Sequence, residues 1–128
     1  MVEICKLPKK GKNRKRITVI TCGPDPAIIT EYDFSLEKMV YLKHSVPHYV
    51  SEEDIVDTNG AGDAFSGGFL AALVLGQDLD KCTYMGHWAA SLIIKTRGCQ
   101  LLAEYPLKLK KTNVTTNDEK DKKIEEIF

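Results

Sequence analysis

The chain has 128 residues, 43% hydrophobic and 28% charged, with 18 basic side chains against 18 acidic ones. That is enough for one domain with a real core, and zero net charge excludes a global electrostatic pull towards nucleic acid or an anionic membrane. The cysteines, at positions 5, 22, 82 and 99, form no C-x-x-C pair and no metal-ligand spacing, no apolar run is long enough to span a bilayer, and the first residues lack the apolar stretch of a secretory signal, so a reducing, cytoplasmic setting with free thiols is expected.

In chain order, residues 1–16 read as the end of an element followed by a basic loop. Lys6 to Arg16 holds seven basic residues in eleven. A nuclear-localisation or polyanion-binding patch has this composition, but no aromatic residues are interleaved for base stacking, and a solvated loop is the plainer account. Ile17 to Thr21 is β-branched and predicts a strand, and its continuous apolar character predicts burial on both faces. Gly23-Pro24-Asp25-Pro26 is a turn, since its two prolines fix φ and remove donors. Ala27 to Thr30 is the return strand. Glu31 to Val50 reads as one or two β segments joined by loop. His44 and His48 stand four apart, but Pro47 between them argues against a shared helix face and hence against a zinc pair. Ser51 to Asp54 is an acidic turn, more consistent with a solvated surface than with metal binding.

Ile55-Val56 reads as a short strand running into Asp57-Thr58-Asn59-Gly60-Ala61-Gly62-Asp63-Ala64-Phe65. Gly60 and Gly62 allow a tight turn and close approach to the backbone. A helix over Gly62 to Leu75 would then aim free N–H groups at whatever sits in that turn, where its dipole favours an anion. On spacing alone, a plain turn and helix start is the simpler account. A P-loop is excluded because no Lys-Ser or Lys-Thr follows the glycines, and a dinucleotide fingerprint because Phe65 stands at the third glycine position. Phe65, Phe69, Ala72 and Leu73 share one helical face. Gly67 and Gly68 cost about 1 kcal/mol each against Ala, which close packing would offset. Gly76 ends the helix. Asp78 or Asp80 caps a second helix reaching about Lys95, with Met85, Trp88, Ala89, Leu92 and Ile93 as its apolar stripe, His87 off that stripe, and Gly98 closing it. Leu101 to Leu109 is irregular, and residues 110–128 form a polar tail whose Asn113-Val114-Thr115 sequon has no secretory route to serve it.

The run DTNGAGDAFSGGFLAALV, residues 57–74, resembles the D-T-x-G-A-G-D-x-F signature of the ribokinase-like (PfkB-type) sugar and nucleoside kinases. Asn59 with the following Gly67-Gly68-Phe69-Leu70 is most similar to the adenosine kinases of that family. Gly86-His87-Trp88-Ala89-Ala90-Ser91-Leu92-Ile93-Ile94, then Arg97-Gly98-Cys99, is similar to a second run of the same enzymes. The strand and T-x-G loop over Ile17 to Ile29 agree. The resemblance covers about residues 5–105 and only the C-terminal part of the family's kinase domain. Nothing before Asp57 resembles the family's early glycine pairs, its sugar-binding Asp or its Asn-x-x-Glu.

The resemblance implies an α/β fold, the C-terminal part of a ribokinase-like domain, with a β-hairpin and sheet edge packed with two main helices. It implies transfer of the γ-phosphoryl group of ATP to a primary hydroxyl, that of adenosine foremost, giving AMP. Asp63 would be the catalytic base, with Asn59, Gly60, Ala61 and Gly62 as the phosphate-binding anion hole. Thr21, Gly23 and His87 would contact nucleotide, although Cys22 stands where many relatives carry a polar residue. Asp57, with the Asn59 carbonyl, matches positions that hold a monovalent cation in some relatives. ATP and Mg2+ are the implied cofactors, with no metal ligands assigned to this chain. The small-molecule substrate is the implied partner, together with the family's missing N-terminal half; nucleic acid and membrane are not. A sugar kinase such as a ribokinase or fructokinase is the enzymatic alternative. A nucleotide-binding fragment or an inactive, partner-binding relic is the non-catalytic one.

Overall fold

The computed structural model describes residues 2–11, 14–45 and 50–100. The expectations for His48, for Leu101 to Leu109 and for the polar tail lie outside them. The described elements are helix α1 (Val2–Lys6), strands β1 (Arg16–Cys22), β2 (Asp25–Asp33) and β3 (Lys38–Ser45), a 3-10 turn over Glu52–Asp54, and helices α2 (Ala61–Val74) and α3 (Leu79–Ile93).

The strands form one antiparallel sheet in the order β1-β2-β3. Cys22 pairs with Asp25, so the first hairpin turns on Gly23-Pro24. Gly23 has φ 61, the left-handed conformation that two-residue hairpin loops need. The second hairpin turns where Asp33 Oδ1 accepts from the Ser35 and Leu36 amides at 2.9 and 3.2 Å. Ala27, Ile29, Thr30 and Tyr32 of the central strand are buried. The expectation that β1 is buried on both faces does not hold. Thr18 is its one buried residue, and Ile17 is 36% exposed. The reason is position: β1 is an edge strand, and the layer beside it is an open cleft.

Part of the basic run is held by the protein itself. The Arg16 guanidinium donates to the carbonyls of Ile4, Cys5, Leu7 and Pro8, satisfying the end of α1 that helix geometry leaves open. It also lies 5.1 Å from the Phe34 ring, with Lys9 at 5.7 Å from the same ring. Cys5, fully buried, seats α1 on the sheet. Its Sγ is 3.1 Å from Thr30 Oγ1 and 3.6 Å from Thr18 Oγ1.

Helices α2 and α3 pack through Phe65, Phe69, Ala72 and Cys82. A Cβ at Gly68 would run into the Met85 carbonyl, and one at Gly86 would meet the Phe65 ring at 2.9–3.0 Å. These two glycines let the helices approach. Gly67 has no such role, since a Cβ there would meet nothing within 4 Å among the described residues. Gly76, φ 74, closes α2: its N–H reaches the Leu73 carbonyl at 3.0 Å and that of Gln77 the Ala72 carbonyl at 3.1 Å, the double bond of a Schellman motif. Asp78 caps α3 by accepting from the Lys81 amide at 2.8 Å. Helix α3 stops at Ile93, so Gly98 belongs to the turn beyond it.

The sheet joins the helices mainly at two places. Val19 packs on the helical core. Asp80, in the first turn of α3, accepts from the Tyr41 hydroxyl and from Lys43 Nζ, the latter at 2.7 Å. Ile55 and Val56 form no strand. The described residues set no strand beside them, and the N–H groups of Val56 and Asp57 instead reach the Ile94 carbonyl at 2.8 and 3.2 Å. No helix among the described residues is long and apolar enough to cross a membrane.

Candidate functional site

The head of α2 is open. Its cap residue, Gly60, has φ 78 and no side chain to bond the first turn. The helical ladder starts with the Ala64 amide donating to the Gly60 carbonyl at 2.8 Å. Before it, the Asn59 amide is taken by Asp57 Oδ1 at 2.9 Å and that of Ala61 by the Thr58 carbonyl at 3.3 Å. The amides of Gly60, Gly62 and Asp63 donate to nothing among the described residues. Of the four predicted anion-hole residues, then, Gly60 and Gly62 have free donors here, while Asn59 and Ala61 shape the loop. The Asp63 carboxylate stands exposed in the same first turn, with no hydrogen bond or ion pair among the described residues.

Asp57 braces this loop. Besides the Asn59 amide, its carboxylate accepts from the Gly98 amide at 3.3 Å. These two bonds, the Asn59 one foremost, and the nearby Arg97 charge hold its carboxyl below the usual carboxylate range. Both oxygens are thus engaged at the position predicted for a cation. Sequence reasoning missed Cys99, whose Sγ lies 3.2 Å from the Asn59 carbonyl and against the bare face of Gly60. Its signal was only its place next to Gly98 in the second resembling run.

A cleft of about 380 Å³ runs between β1 and α2, lined among others by Ile17, Val19, Thr21, Gly62, Phe65 and Ser66. It brings Thr21 and Gly62 to one space from opposite layers. Gly23 lies beyond it, at the exposed hairpin tip. His87 is not off the packed face of α3 as expected. It is 7% exposed, with its ring edge-on to Phe65 at 5.0 Å, and so offers a nucleotide little surface. Among the described residues no group of three or more His, Cys, Asp or Glu side chains could hold a metal ion.

The model of the pfkB family carbohydrate kinases matches residues 4–105. Adenosine kinase 1 of Arabidopsis thaliana is 40% identical over 98 residues, 77% of this chain and 26% of that protein. Adenosine kinase of Schizosaccharomyces pombe is 45% identical over 93 residues, 73% of this chain and 25% of that one. Among solved structures, Anopheles gambiae adenosine kinase in complex with P1,P4-di(adenosine-5) tetraphosphate is 42% identical, with a TM-score of 0.65 over 76% of this chain and 27% of that one. Schistosoma mansoni adenosine kinase in complex with 2-fluoroadenosine is 34% identical, with a TM-score of 0.69 over 79% of this chain and 28% of that one. The chain spans about a quarter of the length of the curated relatives it matches.

Proposed function

The chain belongs to the pfkB family of carbohydrate kinases, and from that premise we propose that it carries the phosphate-binding loop and catalytic base of an adenosine kinase. The reaction is transfer of the γ-phosphoryl group of ATP to the 5′-hydroxyl of adenosine, giving AMP and ADP. The observation that carries this reading is the open head of α2, where the amides of Gly60, Gly62 and Asp63, without partners among the described residues, share the first turn with an exposed carboxylate. The amides stabilise charge on the transferring phosphoryl oxygens, in a reaction that is mostly positioning and electrostatics. Asp63 accepts the hydroxyl proton as the hydroxyl oxygen bonds to phosphorus and the bond to ADP breaks. Thr21, across the cleft from Gly62, and Gly23, at the hairpin tip, are the nucleotide contacts of this reading. Magnesium would arrive on the ATP phosphates rather than on ligands of this chain, and Asp57 remains the candidate for a monovalent cation.

Because the chain spans a quarter of its relatives' length, the grip on the nucleoside is assigned to a complementing portion of the kinase. The names of the relatives favour adenosine over the sugar substrates of other family members. The test is a chimera in which residues 4–105 replace the matching segment of the S. pombe enzyme. It should phosphorylate adenosine in preference to ribose. Asp63→Asn in that chimera should lower kcat by about 10²–10⁴-fold with ATP affinity little changed. Near-normal turnover in Asp63→Asn would sink the assignment.

A further inference from the structure

Both main-chain polar groups of Asn59 are held, each by a different part of the chain. Its N–H donates to Asp57 Oδ1, two residues back, and its carbonyl accepts from the Cys99 thiol, forty residues on. A peptide unit is planar, and in the trans form its C=O and N–H point to opposite edges. A carbonyl turned towards Cys99 therefore turns the next N–H, that of Gly60, the other way. That N–H is one of the unpartnered donors at the head of α2.

Three further observations show that the turn after α3 is built around this contact. The Ile94 carbonyl and Gly98 amide, from the same segment as Cys99, hold Val56 and Asp57. Gly60 must lack a Cβ, since one would collide with Cys99 Sγ. Cys99 itself has φ 54, a left-handed backbone that residues other than glycine adopt only against a steric cost. A side chain held in such a conformation and aimed at one carbonyl is a brace with a direction.

We propose that Cys99 is a positioning residue for phosphoryl transfer: its thiol holds the Asn59–Gly60 peptide in the orientation that presents the Gly60 N–H to the transferring phosphate. The inference rests on the kinase reading above. In this proposal Cys99 acts through the peptide, by way of the Asn59 carbonyl.

The test uses the 128-residue chain, labelled with ¹⁵N, as wild type, Cys99→Ala and Cys99→Ser. Each is titrated with inorganic tripolyphosphate while the loop amides are followed by NMR. Cys99 is exposed, so Ala opens no core cavity, and unchanged resonances from α2 and α3 report an intact fold. In Cys99→Ala the ligand-free Gly60 resonance should move, and tripolyphosphate affinity read at Gly60 should weaken about threefold to tenfold, the range one net hydrogen bond gives. Cys99→Ser, which keeps a donor, should restore both. An alanine variant with the wild-type Gly60 resonance and affinity overturns the proposal, as does a serine variant that restores neither. A wild-type chain whose loop amides ignore tripolyphosphate removes the kinase reading and with it the purpose given to Cys99. The ligand-free arm still shows whether the thiol holds the peptide, so the two failures are told apart.

Discussion

Gly60 and Gly62 are alike in the sequence and unlike in the structure. Both suggest a tight turn before a helix, and the glycine pattern made this loop legible as a candidate site. Only Gly60 is held in the left-handed region, with Cys99 against its bare face; Gly62 is helical and has open space where a Cβ would sit. The distinction depends on a residue distant in sequence, which local pattern cannot reveal. Gly60→Ala should therefore cost at least about 1–3 kcal/mol, the range for a non-glycine residue forced into such backbone, with displacement of Cys99 added. Gly62→Ala should cost nothing and gain up to about 1 kcal/mol of helix propensity. Urea denaturation of both variants checks this. Equal midpoints would show that the turn does not impose the conformation described here.

At the scale of elements, the strands and both long helices follow from local signals: β-branched runs, a Gly-Pro hairpin turn, an Asp cap and a closing glycine. The orientation of α3 does not. Its large residues suggested a stripe through Met85, Trp88, Ala89, Leu92 and Ile93, yet the buried positions are Cys82, Thr83, Gly86, His87 and Ile93. The smallest residues decide the contact, because Gly68 and Gly86 are where the two helices can come closest. The same limit hid the link between sheet and helices at Asp80. Its carboxyl is held below the ordinary range by Lys43 first and then the Tyr41 hydroxyl, while Tyr41, half-buried, is pushed up to about 12 by burial first and then by Asp80. A carboxylate lowered on folding contributes its stability above the ordinary carboxylate pKa and loses it as pH falls through the lowered folded value. Lys43 and Asp80 are both more than a third exposed, so the contribution is at most about 1 kcal/mol. Asp80→Asn should thus lower stability slightly at neutral pH and lose that deficit under acid conditions. Urea titrations at both pH values read it, and a deficit that persists in acid would assign the effect to packing instead.

At the scale of the whole molecule, the surfaces left exposed are those an α/β domain normally covers. Helix α2 is apolar nearly all round, and helices of that kind are buried in their proteins. Here Val74 is 85% exposed, Leu70 is 55% exposed at the edge of the cleft, and Ile55 and Val56 are 41% and 53% exposed before the start of α2. Ile55-Val56 reads as a strand in the sequence because its residues are β-branched; among the described residues no strand pairs with it. With the chain spanning a quarter of its relatives' length, the cover we expect is the complementing portion of the kinase, laid against Ile55-Val56 and Val74. Large exposed apolar patches and open strand edges otherwise drive self-association. The 128-residue chain alone should therefore associate as its concentration rises in analytical ultracentrifugation. Val74→Lys should suppress that association while leaving the tripolyphosphate response at Gly60 and Gly62 in place, since Val74, unlike Leu70, does not line the cleft that Gly62 shares with Thr21. Co-expression with the N-terminal three-quarters of the S. pombe enzyme should give a one-to-one complex that the Val74→Lys variant cannot form. A wild-type chain that stays monomeric throughout, and ignores that partner, would mean that these apolar surfaces are stable in water as they stand and that the α2 face has no cover to wait for.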